Sequence, residues 1–223
     1  MKRGTDDTRG VLTAHYEAMF RAFGPQGWWP GRTRFEVIVG AILTQNTAWT
    51  NVEKAIRRLR KERLLTPGRL DALPVEELAG HIRSAGYFNV KARRLKNLAA
   101  HLLDNGGLAR FLGQDAGTLR AKLLGINGVG PETADSIMLY AAGKPEFVVD
   151  AYTKRIFSRH GLVDRDASYE EVKALFSGNL PPDGRLFNEY HALIVRTAKE
   201  YCRTKAPLCA QCPLKAFLPA GAR

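Results

Sequence analysis

No apolar run in the 223 residues approaches the roughly 20 that a membrane-spanning helix requires. The first ten residues, MKRGTDDTRG, place no apolar core behind their charges, so they are not expected to act as a secretory signal. The chain is therefore expected in the cytoplasm, in the vicinity of the nucleoid. There is no internal repeat and no low-complexity linker, which sets aside solenoids and flexible arrays. Cysteine is scarce, with three residues in all, and each lies near the C-terminus. Acid is scarce relative to base: 22 Asp and Glu face 34 Lys and Arg, a net charge of +12.

The shortage of acid is local as well as global. Between Leu78 and Leu103 no carboxylate occurs, while Arg83, Lys91, Arg93, Arg94 and Lys96 all fall there. A second basic group, Arg57, Arg58, Arg60, Lys61 and Arg63, is relieved by Glu62 alone. A solvated surface can be basic for solubility only. Clustering of this kind, however, suits a polyanion such as nucleic acid, because each neutralised phosphate releases counterions. With 45% apolar and 25% charged residues, the chain has the composition of a folded globule of one or two domains.

The apolar spacing is almost everywhere helical. VLTAHYEAMFRAF (Val11–Phe23) opens as an amphipathic helix, and FEVIVGAILT (Phe35–Thr44), apolar all round, predicts a buried one. VKARRLKNLAAHLL turns Leu95, Leu98, Ala99 and Leu102 inward and Arg93, Arg94, Lys96 and Asn97 outward. A short helix from Thr118 stops at Gly125, and Pro131 suits the first turn of another that runs to about Ala142. KPEFVVD is the one strongly extended run, and EYHALIVRTAKEYC predicts a late helix. Helices joined by short loops give an all-α fold class.

Between two of those helices lies GINGVGPETAD (Gly125–Asp135). Gly128 and Gly130 can take positive φ and lack the Cβ atoms that would hold a partner away, and Val129 would plug the hairpin's own small core. A bare Gly-x-Gly is also an ordinary tight turn. Asp150 stands where FVV meets the helix AYTKRIFSRHG; a carboxylate there is stabilised as an anion, and a plain N-cap is an equally natural role.

Hairpin, Gly-Val-Gly, intervening helix and VVD together resemble the helix-hairpin-helix–Gly/Pro–Asp superfamily of DNA glycosylases, of which endonuclease III is the best-known member. Gly143 and Pro145 supply the Gly/Pro element, GAILTQNT the buried helix and its loop, and IRSAGYFNVKARRLKNL the basic helix, so the likeness runs from about Val11 to Cys212. It implies two helical lobes flanking a DNA cleft. One is a six-helix barrel over residues 27–144 with the hairpin at 118–142; the other is discontinuous, from 1–26 and 145–223. It further implies a monomer on double-stranded damaged DNA, contacted by Gly128, Val129, Gly130, Lys91, Arg93 and Arg94. Gln45 matches the residue that fills the gap left by an extruded base, although a loop amide can equally cap the following helix.

The resemblance assigns Asp150 as the carboxylate that stabilises the oxocarbenium-like sugar during base release. Members that also cut the strand carry a hairpin lysine whose amine forms a Schiff base. The matching residue here is Glu132, and a carboxylate cannot form an imine. The expectation is a glycosylase without lyase activity, unless Lys154, one helical turn after Asp150, substitutes. GWWPGRTRFEV, LTQNTAWTN and GVGPETAD look most like the bacterial 3-methyladenine DNA glycosylase III branch. Trp28, Trp29 and Trp49 are then the base pocket, since aromatic faces bind an alkylated, cationic purine; core packing is the competing role. Two alternatives remain: an oxidised-pyrimidine glycosylase and abasic-site lyase of endonuclease III type, and a non-catalytic helix-hairpin-helix DNA-binding protein.

The cysteines follow the pattern Cys202-x6-Cys209-x2-Cys212, a partial match to the endonuclease III [4Fe-4S] motif, whose fourth position is Leu218 here. A cluster is possible but the motif lacks one ligand, and none is required for the chemistry implied.

Overall fold

The computed structural model describes residues 5–219, and the described residues contain helices and loops but no strand. In chain order the α-helices are α1 (Thr5–Phe23), α2 (Arg34–Leu43), α3 (Trp49–Lys61), α4 (Pro67–Ala72), α5 (Val75–His81), α6 (Phe88–Asp104), α7 (Leu108–Leu112) and α8 (Ala116–Leu124). They continue with α9 (Pro131–Ser136), α10 (Ala151–Arg159), α11 (Tyr169–Ser177) and α12 (Gly184–Glu200). Among the described residues no helix is long and apolar enough to cross a membrane.

The chain divides into two compact units, Trp29–Lys144 and the combination of the segment ending at Trp28 with the segment beginning at Pro145. In the first, α2 is the central element. Every residue from Phe35 to Leu43 is buried, as its almost wholly apolar sequence requires, and α3, α6 and α9 pack around it. The one buried charge on α2, Glu36, is accommodated at the helix start. Its carboxylate accepts from Arg60 Nη2 at 2.6 Å and Nε at 3.3 Å, and from the Arg32 N–H at 3.2 Å. The α6 pattern is borne out for Leu95, Leu98, Ala99 and Leu102, all buried.

In the second unit α12 packs against α1 and α10. Phe147, Phe157 and Phe176 surround Tyr190, with Phe187 edge-on to Phe147, and the Tyr190 hydroxyl donates to the Leu12 carbonyl at 2.8 Å. α11 starts from a capping box: the Ser168 hydroxyl accepts from Glu171 N–H, and the Glu171 carboxylate accepts from Ser168 N–H.

Two local expectations are corrected. α8 does end before Gly125, but Gly125 has φ −73°, so the stop uses no left-handed residue; the positive φ, +95°, comes three residues later at Gly128. Beyond Ser136 the helix carrying Asp135 does not continue as α-helix. Residues Ile137–Ala141 widen into a π-helical turn, a register change that apolar spacing does not signal.

Candidate functional site

The hairpin of the Trp29–Lys144 unit is locked from within. Arg120 on α8 donates from Nε and Nη2 to Asp135 on α9, at 2.7 and 3.2 Å, and Asp135 is 0% exposed. This bidentate pair fixes the two helices on either side of the turn. Val129 is buried in the core, as expected of a plug. Gly128 is left-handed, and its Cα lies against Arg94: a Cβ there would fall 2.7 Å from Arg94 Cδ. Gly130 differs from the expectation. Its φ of −92° and ψ of 178° are extended backbone, and it serves as the N-cap of α9 with no side-chain cap over the first amides. Glu132 follows in that first turn and is exposed.

Gln45 is held to this hairpin. Its Nε2 donates to the Gly128 carbonyl at 3.1 Å and to Thr133 Oγ1 at 3.0 Å, and its Oε1 accepts from Arg94 Nη1. Both ends of the amide are thus engaged inside the unit rather than projecting from it. Of the residues expected on DNA, Arg93 is exposed and Arg94 half-buried.

Lys91 is a clear correction. It is 1% exposed, and its ammonium donates to the Leu43 carbonyl (2.8 Å), Thr47 Oγ1 (2.7 Å) and the Ala85 carbonyl (2.8 Å). An ammonium with three internal acceptors is not presented to phosphate. Burial, and then the Arg94 charge, lower its pKa to about 8, so it remains protonated at neutral pH. Its place one helical turn before Leu95 set it on the inward side of α6, but its charge argued the other way. Lys91 instead staples the end of α2, the loop that carries Gln45, and the turn before Tyr87. That turn holds the most exposed large apolar side chain of the described residues: Tyr87 is 72% exposed and sits at φ +45°. Sequence reasoning missed it, though GYF at the head of a basic helix was the available signal.

Trp29 and Trp49 come together, edge to face at 5.3 Å between ring centroids, with Tyr140 5.1 Å from Trp29. Gly40 lets the indole of Trp29 lie on α2, since a Cβ would come 3.2 Å from Trp29 Cζ2. Trp28 is half-buried and belongs to the other unit. Beside Trp49 opens a cavity of about 250 Å³ lined by Pro30, Arg32, Glu36, Glu53, Arg57 and Arg60.

In the unit built from both chain segments, Asp150 is the N-cap of α10. Its Oδ1 accepts from the Thr153 N–H at 2.7 Å and the Thr153 hydroxyl at 2.9 Å. Its Oδ2 lies 3.5 Å from His191 Nε2, and the carboxylate is 13% exposed. Burial alone would raise its pKa; the hydrogen bond and charge of His191, then the two Thr153 donors, outweigh burial and hold it below the ordinary carboxylate value. His191, on α12, was not singled out from the sequence, because one histidine in EYHALIV reads as core. Lys154 Nζ donates to the Ala167 carbonyl at 2.9 Å.

Cys202, Cys209 and Cys212 line one cavity with Leu218, His160, Arg159 and Lys215. Arg159 Nη1 lies 3.3 Å from Cys202 Sγ, and the Leu214 N–H 3.5 Å from Cys212 Sγ. The Cys212 thiol is pushed up by burial and by its two sulfur neighbours, which the Leu214 N–H partly offsets. The side chains present do not supply the four thiolates of such a cluster: Leu218, which stands at the motif's fourth position and lines this cavity, has no donor atom. Among the described residues no three His, Cys, Asp or Glu side chains converge on a single metal position.

Known proteins share this architecture. Residues 39–182 match the family described as "HhH-GPD superfamily base excision DNA repair protein". A Methanocaldococcus jannaschii protein named "Putative DNA repair glycosylase MJ1434" is 50% identical over 205 residues, 91% of this chain and 93% of that one. An endonuclease III trapped as a covalent intermediate with DNA superimposes with a TM-score of 0.82 at 27% identity, covering 96% of each chain. The 3-methyladenine DNA glycosylase MagIII of H. pylori, bound to 1,N6-ethenoadenine, gives 0.72 at 26% identity over 86% of this chain and 97% of its own.

Proposed function

Because the chain belongs to the HhH-GPD superfamily of base-excision DNA repair proteins, and is by that membership a DNA glycosylase, we propose that it releases alkylated purines such as 3-methyladenine and leaves the strand uncut. The observation that carries this reading is Glu132, exposed in the first turn of α9. A residue there has no amine with which to attack the sugar, so water is the nucleophile. Asp150, held ionised, places its negative charge where positive charge develops on the sugar and orients that water. An alkylated purine is itself a cation with a weakened glycosidic bond. Trp28, Trp29 and Trp49 offer it aromatic faces in place of acid catalysis.

The substrate is double-stranded damaged DNA, bound by a monomer. The amides after Gly128, Val129 and Gly130 grip phosphate, and Arg93 and Arg94 add charge. Lys91 supports this surface from beneath. With Gln45 tied to the hairpin, Tyr87 is the side chain better placed to enter the base stack, where apolar wedges compensate an extruded nucleotide.

The likeness to endonuclease III favours a second reading, an oxidised-pyrimidine glycosylase with lyase activity, in which Lys154 would leave Ala167 to supply the amine. Duplexes carrying 3-methyladenine, 7-methylguanine or thymine glycol, incubated with and without borohydride, separate the two. Release of 3-methyladenine with no trapped adduct is the expected outcome. A robust adduct on thymine glycol DNA would overturn the proposal.

A further inference from the structure

The buried polar side chains of α12 differ in what they face. Thr197 returns its hydroxyl to the Leu193 carbonyl of its own helix at 2.8 Å, and Tyr190 reaches the Leu12 carbonyl at 2.8 Å. Both satisfy backbone, as core polar groups ordinarily do. His191, 5% exposed, instead brings its Nε2 to a carboxylate, at 3.5 Å from Asp150 Oδ2. That oxygen is the one α10 leaves over, because Oδ1 already takes both the N–H and the hydroxyl of Thr153.

We infer that His191 is the positioning residue of the Asp150 carboxylate, donating from Nε2 to Oδ2 and so fixing the plane of the group before a substrate arrives. The inference rests on the reading of Asp150 as the carboxylate of base release. Rotation about χ2 moves both oxygens, so the two Thr153 donors restrain it from the Oδ1 side alone. A donor on the opposite oxygen stiffens the same rotation from the other side and narrows the range of the carboxylate plane. Charge that is already oriented stabilises a developing cation without reorganisation during the reaction. A donor at Oδ2 also opposes burial, which by itself would favour the neutral acid. The arrangement is local: Thr153 stands on α10 beside the cap, His191 on α12, and the two helices pack directly.

The test compares His191→Phe, which keeps a ring and loses the donor, with His191→Gln, which keeps a side-chain N–H. Single-turnover release of 3-methyladenine, affinity for an abasic-analogue duplex, and thermal melting are measured for both, with Asp150→Asn alongside. His191→Phe is expected to slow release by about 10- to 100-fold, as loss of an outer orienting group does, with affinity unchanged within about twofold. His191→Gln is expected to recover most of the rate. Wild-type release by a folded His191→Phe, equal losses in Phe and Gln, or a rate loss matched by lost affinity would overturn the inference. If the Phe ring prevents folding, His191→Leu serves the same comparison. Wild-type release by Asp150→Asn would instead overturn the assignment of Asp150, whereas an inactive Asp150→Asn beside a fully active His191→Phe would remove the His191 inference alone.

Discussion

Helices α9 and α10 begin in opposite ways. α9 starts from Gly130, with no side chain over its first N–H groups and with Pro131 setting the first turn. α10 starts from Asp150, whose own carboxylate receives the Thr153 amide. The first start has no N-cap side chain; the second is capped by an internal anion. On the proposed reading, this difference divides the labour. One helix end holds the substrate's phosphate, and the other holds the charge that acts on the substrate's sugar.

The comparison breaks most visibly at Gly128. Ala at this position needs a φ of +95° and drives a Cβ into Arg94. Gly128→Ala is expected to destabilise the protein by about 2 kcal/mol, measured by denaturant titration, and to weaken DNA binding with a shallower salt dependence. Next in size is the cap of α10. Because the folded pKa of Asp150 is depressed, its stabilisation is present above the unfolded carboxylate pKa and is lost as pH falls through the folded value. Wild type should therefore lose an acid-sensitive contribution of about 1 kcal/mol that Asp150→Asn, which keeps a capping oxygen, does not lose. A stability difference between the two that stays flat on acidification would contradict this. The smallest effect is at Gly130, where a Cβ meets nothing within 4 Å and φ is negative. Gly130→Ala should change stability by no more than about 0.5 kcal/mol. Any appreciable loss of DNA affinity in that variant would then report the backbone contact itself.

Several long helices with one periodicity were legible in the sequence, α1, α2, α6 and α12, whereas α3, also long, was read only for its basic residues. Short helices such as α4 and α5 were not, because six or seven residues carry too few repeats to establish a period. The turn at Gly128 and the cap at Asp150 were legible because residue type alone constrains backbone at those positions. Side-chain partners were not. Arg120 with Asp135, Glu36 with Arg60, and Asp150 with His191 are each pairs whose members are unremarkable until folding removes water from between them. Lys91 shows the cost of reading charge without burial. In a basic stretch it looks like a DNA contact, yet three internal oxygens hold it inside.

The division of the chain has a consequence for its birth on the ribosome. α1 is made before residues Trp29–Lys144, but Leu12 and Met19 find their packing in a unit whose other segment begins at Pro145. At an ordinary synthesis rate of about 5–20 residues per second, that helix waits on the order of ten seconds for its partners. Residues Trp29–Lys144, which are contiguous, can close their own core in the meantime. The order of assembly is thereby the reverse of the order of the first two segments in the chain.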